Sequence, residues 1–146
     1  MKKYATVELN KVASRMTGEI EAQCPLKSSI LSLENGAIVY IDAKKDEITD
    51  TFSATDCVDA IYLHFSNPRR YEDGKSGMTE FRYENNNDDK YLPRVYKLTV
   101  GDIFTTDYDL KATVGTALTF GSHKIMPVKA MAMPNGGNGI MYRVIA

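Results

Sequence analysis

Apolar residues in this chain recur mainly at every second position, the period of a half-buried strand. The clearest runs are Ala37–Asp42, Ala60–Ser66, Arg94–Val100, Val128–Met133 and Ile140–Ile145. In the second run Ile61, Leu63 and Phe65 point one way while Tyr62 and His64 point the other, so His64 is expected to meet solvent or a neighbour. In the last run Ile140, Tyr142 and Val144 alternate with Met141, Arg143 and Ile145. Asn35-Gly36, Asp73-Gly74 and Val100-Gly101-Asp102 punctuate the runs as turns. The final two runs flank Pro134-Asn135-Gly136-Gly137-Asn138-Gly139. Proline stops the first strand and the Gly and Asn residues accept positive φ, so a C-terminal hairpin is expected.

No window sustains an apolar stripe at i, i+3, i+4 and i+7, so little helix is expected. A single helical turn at Asp56–Asp59, capped by Ser53 or Thr55, and a short helix within Ala5–Met16 are the two places where one fits. Residues 1–25 mix charge and small side chains with weak alternation and read as an N-terminal arm; residues 26–146 read as one β-rich domain. Within it, residues 67–93 form a long excursion marked by Asn67-Pro68, Asp73-Gly74 and Asn85-Asn86-Asn87-Asp88-Asp89. Met78–Tyr83 inside it alternates as an edge hairpin would. The expected fold is mostly β, a compact antiparallel sandwich or small barrel with an extended arm and a C-terminal hairpin.

Composition sharpens this. Nine Val, ten Ile, twelve Thr, nine Tyr and five Phe outweigh nine Leu, a balance that suits pleated surfaces. The 146 residues are enough for one core without staples. Net charge is -1, and residues 1–73 and 74–146 carry -3 and +2, too mild an asymmetry for a nucleic-acid footprint. The longest apolar run is Ala37–Ile41, far short of the ~20 residues a membrane helix needs. Met1-Lys2-Lys3 is followed by no apolar core of a signal peptide, so a soluble, intracellular domain is expected. In that setting Cys24 and Cys57 read as small buried hydrophobes more readily than as a bridge.

Candidate chemistry is sparse. The only histidines are His64 and His123, and nothing in their spacing selects either as partner to a cysteine or serine nucleophile. Neither cysteine has a His within five residues, so zinc has no paired ligands. Asp42–Glu47 has lysines where a calcium loop needs oxygen ligands, and Asp102, Asp107 and Asp109 read as solvated turn acids. No phosphate-binding glycine motif follows a strand. No catalytic residue, cofactor or metal is therefore assigned. Tyr62, Tyr83, Tyr91, Tyr96 and Tyr142, near Arg82, Lys90, Arg94, Lys97 and Arg143, leave a small barrel binding single-stranded nucleic acid as an alternative. Glu80, Glu84, Asp88 and Asp89 neutralise that stretch, and tyrosines equally suit a wet protein interface.

Leu92-Pro93-Arg94-Val95-Tyr96-Lys97-Leu98-Thr99-Val100-Gly101-Asp102-Ile103-Phe104-Thr105-Thr106-Asp107, then Val114-Gly115-Thr116-Ala117-Leu118-Thr119-Phe120-Gly121 and a terminal strand, carry a resemblance. This block resembles the small structural proteins of tailed-phage heads, particularly the capsid decoration (cement) proteins. Leu33-Glu34-Asn35-Gly36-Ala37-Ile38-Val39-Tyr40 is similar to the Asn-Gly-led strand that opens their folded part. The resemblance implies a non-enzymatic virion protein, made in the host cytoplasm, that docks on the outside of an assembled capsid. Its partner would be the major capsid protein, with homo-oligomers on the capsid surface, and a tail or baseplate role is the alternative location. An N-terminal arm can add a strand to a partner's sheet edge; Lys2, Lys3, Tyr4, Val7, Leu9, Lys11 and Arg15 are the capsid-binding residues expected on this reading.

Overall fold

The computed structural model describes residues 4–9, 11–57, 59–66, 82–84, 92–133 and 138–146, with only the backbone of 16 and 82–84. Among the described residues strand accounts for 42% and helix for 4%, with two antiparallel five-stranded sheets packed face to face as a sandwich and not closed into a barrel. The first sheet contains β1 (Val7–Glu8), β9 (Ile103–Thr106), β12 (Asn138–Val144), β11 (His123–Ala132) and β10 (Leu118–Phe120), in that spatial order. The second contains β2 (Ile20–Glu21), β8 (Val95–Lys97), β6 (Tyr62–His64), β4 (Ile38–Asp42) and β5 (Glu47–Thr49). A separate pair joins β3 (Ser32–Glu34) to β7 (Arg82–Glu84). The remaining element among the described residues is α1 (Ala13–Thr17), a single turn closed by Gly18 at φ 83°.

The core lies between the sheets because each contributes an alternating apolar face. Ile38, Tyr40, Leu63 and Tyr96 of the second sheet meet Val7, Phe104, Ile125, Tyr142 and Val144 of the first. Phe104 and Tyr142, cross-strand partners, stack with ring centroids 5.3 Å apart. The second sheet is also covered on its outer face. There Val39 and Val95 pack with Cys24, Leu26, Leu33 and Ile48, and the covering segment is tied on by Lys27 N to Ile48 O and Ile48 N to Pro25 O. Both faces of this sheet are dry, which explains the continuous apolar run at Ala37–Ile41.

Of the two surroundings expected for His64, solvent or a neighbour, the second layer supplies the neighbour. Its side of β6 does oppose Leu63, but that side faces the outer cluster and His64 is 0% exposed. The expected arm is likewise part of the domain: β1 pairs with β9, β2 pairs with β8, and Val7 and Val12 lie in the inter-sheet core. The short helix expected within Ala5–Met16 forms at Ala13–Thr17. The turn expected at Asp56–Asp59 closes slightly earlier, with Cys57 N donating to Ser53 O. Most of the excursion at 67–93 lies outside the described residues, apart from β7 and residues 92–93.

The C-terminal hairpin is the longest ladder, running from Ile125↔Val144 to Ala132↔Asn138 with a bulge between Pro127 and Lys129. The bulge is where a strand tolerates proline, and the Pro127 carbonyl accepts from Gly115 N. The two layers meet at a tight corner. Gly36 has φ 95°, and a Cβ there would lie 2.6 Å from Tyr108 Cβ and closer still to the Thr106 hydroxyl. Only glycine fits.

Candidate interaction site

Where the β3–β4 corner faces the chain leaving β9, the sandwich leaves an open cleft of about 490 Å³. Leu33, Ala37 and Ile38 supply an apolar floor, Tyr108 and Phe120 aromatic walls, and Glu34, Asp50 and Asp109 carboxylates, against the single ammonium of Lys111. The loop after β9 is shaped locally: Tyr108 N donates to Thr106 Oγ1 at 3.0 Å, Lys111 N donates to Asp109 Oδ1 at 2.8 Å, and Lys111 itself sits at φ 55°. Burial pushes the Tyr108 phenol up, and the negative field of Glu34, Asp109 and Asp50 adds to that. The cleft therefore combines an apolar floor with a net negative field, which favours an aliphatic cation. On the other side of the same loop a smaller cleft of about 300 Å³ lies against Tyr142, whose phenol is pushed up to about 12 by burial and then by Asp109.

Behind the floor is a buried polar network. His64 Nδ1 meets the Glu34 carbonyl at 2.8 Å, which can only accept, so this nitrogen carries the proton. Nε2 then accepts from the Ser66 hydroxyl at 2.9 Å, and Ser66 Oγ accepts from Arg94 N. Asn35 closes the network by exchanging hydrogen bonds with the Ser66 backbone. Burial lowers the His64 pKa to about 4 despite its bond to Glu34. The imidazole is a neutral structural link with both nitrogens engaged.

The other polar residues singled out in the sequence also serve the fold. His123 Nε2 faces Asp59 O at 2.7 Å and Nδ1 faces Ala146 O at 3.1 Å, while the Ser122 hydroxyl donates to the Asp59 carboxylate and not to a histidine. That bond is the main reason the Asp59 carboxyl sits below its usual range. Asp102 was expected in solvent but is 2% exposed. It accepts from Ala13 N, Thr99 N and the Thr99 hydroxyl, so one carboxylate fixes both α1 and the β8–β9 turn. Asp107 accepts from Thr6 N and holds the first strand in place. Cys24 and Cys57 are free and buried in different clusters, and burial, reinforced by Glu21 and Asp46, pushes the Cys24 thiol up. Among the described residues no three metal-ligating side chains converge, and no helix is long and apolar enough to cross a membrane.

Of the residues expected to bind a capsid, Lys2 and Lys3 lie outside the described residues. Tyr4 is half-buried, Val7 is 2% exposed and Leu9 packs against the core, leaving Lys11 and Arg15 exposed. The expected contact set is therefore not assembled into one outward surface. Of the tyrosines read as an aromatic platform, Tyr96 and Tyr142 are core residues and Tyr62 is half-buried over the outer cluster. The cleft itself escaped the sequence reading, since its walls come from four separated segments and no motif links them. Comparisons with protein-family models, with curated proteins and with solved structures found no match.

Proposed function

We propose that this chain is a non-enzymatic virion structural protein that docks on the outside of an assembled tailed-phage capsid, with the major capsid protein as its partner. The resemblance of residues 92–146 to decoration proteins suggests the setting. The observation that carries the docking role is the open, negatively charged cleft bounded by Glu34, Asp50, Asp109, Tyr108 and Phe120. Its volume falls within the ~300–1,000 Å³ of ordinary ligand sites, but its apolar floor and acidic rim suit a Lys or Arg side chain projecting from a protein surface. Arginine and aromatic anchors seated in such pockets dominate protein interfaces. Many copies on one lattice would let a modest single contact suffice.

The test is co-sedimentation with expanded capsids of the cognate phage. Wild-type protein is expected in the capsid pellet, and the triple variant Glu34→Gln, Asp50→Asn, Asp109→Asn is expected to bind about tenfold more weakly, with a shallower salt dependence. Wild-type protein that stays wholly in the supernatant overturns the reading. Equal pelleting of the two proteins removes the cleft from it.

A further inference from the structure

The C-terminal hairpin leaves part of its outer strand without a neighbour. β10 pairs with β11 only over His123–Ile125, and Gly115 N extends that cover to the Pro127 carbonyl. Beyond the bulge, among the described residues, nothing pairs with Val128–Ala132 on the side away from β12. The register identifies which backbone groups face out. Gly101 N donates to Val144 O and Val144 N donates to Asp102 O, so Val144 turns its polar groups toward the β9 side. By the alternation of the strand, Tyr142 and Ile140 do the same, while Met141 and Gly139 face β11. Their partners are Lys129 and Met131. Ala130 and Ala132 therefore direct their N–H and C=O groups outward. This free stretch is nearly uncharged: Val128 is 38% exposed, Ala130 and Ala132 are exposed, and Lys129 is the one charge.

We propose that this edge pairs antiparallel with the same edge of a second copy, joining two first sheets into one continuous sheet across a two-fold axis. An unpaired edge is a template for another strand, and the second copy is the occupant for two reasons. First, among the described residues the other sheet-edge strands, β1, β2, β3, β5, β7 and β10, are two or three residues long, so β11 of another molecule is the matching free edge they leave. Second, the sequence is self-complementary. With the axis at Met131, Ala130 and Ala132 of one copy exchange four hydrogen bonds with Ala132 and Ala130 of the other. Lys129 then stands opposite Met133, so no like charges meet across the pair. An isologous contact of this kind closes at two copies. This inference goes beyond capsid docking and does not depend on it, because the cleft and the β11 edge are separate surfaces.

Sedimentation velocity of the purified chain and oxidative cross-linking test it together. The wild type is expected to run as a dimer at about 100 µM. Ala132→Pro removes an outward N–H without costing a bond to β12, so it is expected to weaken the dimer at least about tenfold with an unchanged far-UV circular dichroism spectrum. Met131→Cys places two thiols at a non-hydrogen-bonded pair about 4.5 Å apart at Cα, within disulfide reach. It is expected to cross-link, whereas Thr119→Cys on β10 is not. Cys24 and Cys57 are buried and stay out of the reaction. A wild type that is monomeric at this concentration overturns the proposal. So does a dimer that survives Ala132→Pro and fails to cross-link through Met131→Cys, since its contact then lies elsewhere.

Discussion

At pH 7 the His64 imidazole is neutral, and its nitrogens are engaged by the Glu34 carbonyl and the Ser66 hydroxyl. Protonating it would place a second N–H against a hydroxyl already fixed by Arg94 N and would charge a site with no exposure. The folded pKa is about 4 and the ordinary value is 6.5. Between these the unfolded chain binds more protons, so stability rises with pH across that window and is lost as pH falls through it. A shift of this size corresponds to about 3 kcal/mol. Urea titrations from pH 7 to pH 4 are expected to show that loss, and His64→Gln, although less stable at pH 7, is expected to lack the His64 part of the slope. Strand alternation shows that His64 opposes Leu63. Which side is wet is settled by the layer of residues 24–33, and those residues reach β4–β6 only through tertiary contacts.

At the level of elements, the first strand shows how few residues can tie a segment into a sheet. β1 has two residues, yet Val7 is 2% exposed, Thr6 N bonds Asp107 at 2.7 Å and the Thr106 hydroxyl returns a bond to Thr6 O at 2.6 Å. Val7→Ala is expected to cost about 1–3 kcal/mol through the cavity it leaves, read as a lower thermal midpoint by calorimetry; an unchanged midpoint would mean the segment is not seated. The strands that announce themselves in the sequence, around Ala37–Asp42, Ala60–Ser66, Arg94–Val100 and the hairpin, are those with several alternating or uniformly apolar positions. β1, β2, β3 and β5 have two or three residues, too short for a period to register. β9 was hidden differently. Phe104, Thr105 and Thr106 are all buried, so it has no polar face to alternate with, and its threonines read as turn. The cleft was illegible for a simpler reason: Leu33, Asp50, Tyr108 and Phe120 share no sequence window.

For the whole molecule, the two thiols report on cooperativity. Cys57 belongs to the inter-sheet core and Cys24 to the outer cluster, and both are buried. If both layers open together, a thiol reagent at neutral pH is expected to leave the native chain unlabelled and to modify both cysteines over one denaturant transition. Labelling of Cys24 at lower denaturant than Cys57 would show instead that the outer layer detaches first.

β9 lies between β1 and β12 and holds the register Val7↔Thr106 on one side and Ile140↔Thr106 on the other. A strand made about a hundred residues earlier and a strand made some thirty residues later must therefore close on it from opposite sides. During synthesis, β1 has no partner until β9 has been made, and β9 emerges before β12. The first sheet therefore cannot be completed until β12 has been made. Until then the Ile103–Thr106 segment keeps the edge meant for β12 unpaired, and an unpaired edge exposes the nascent chain to aggregation during that interval.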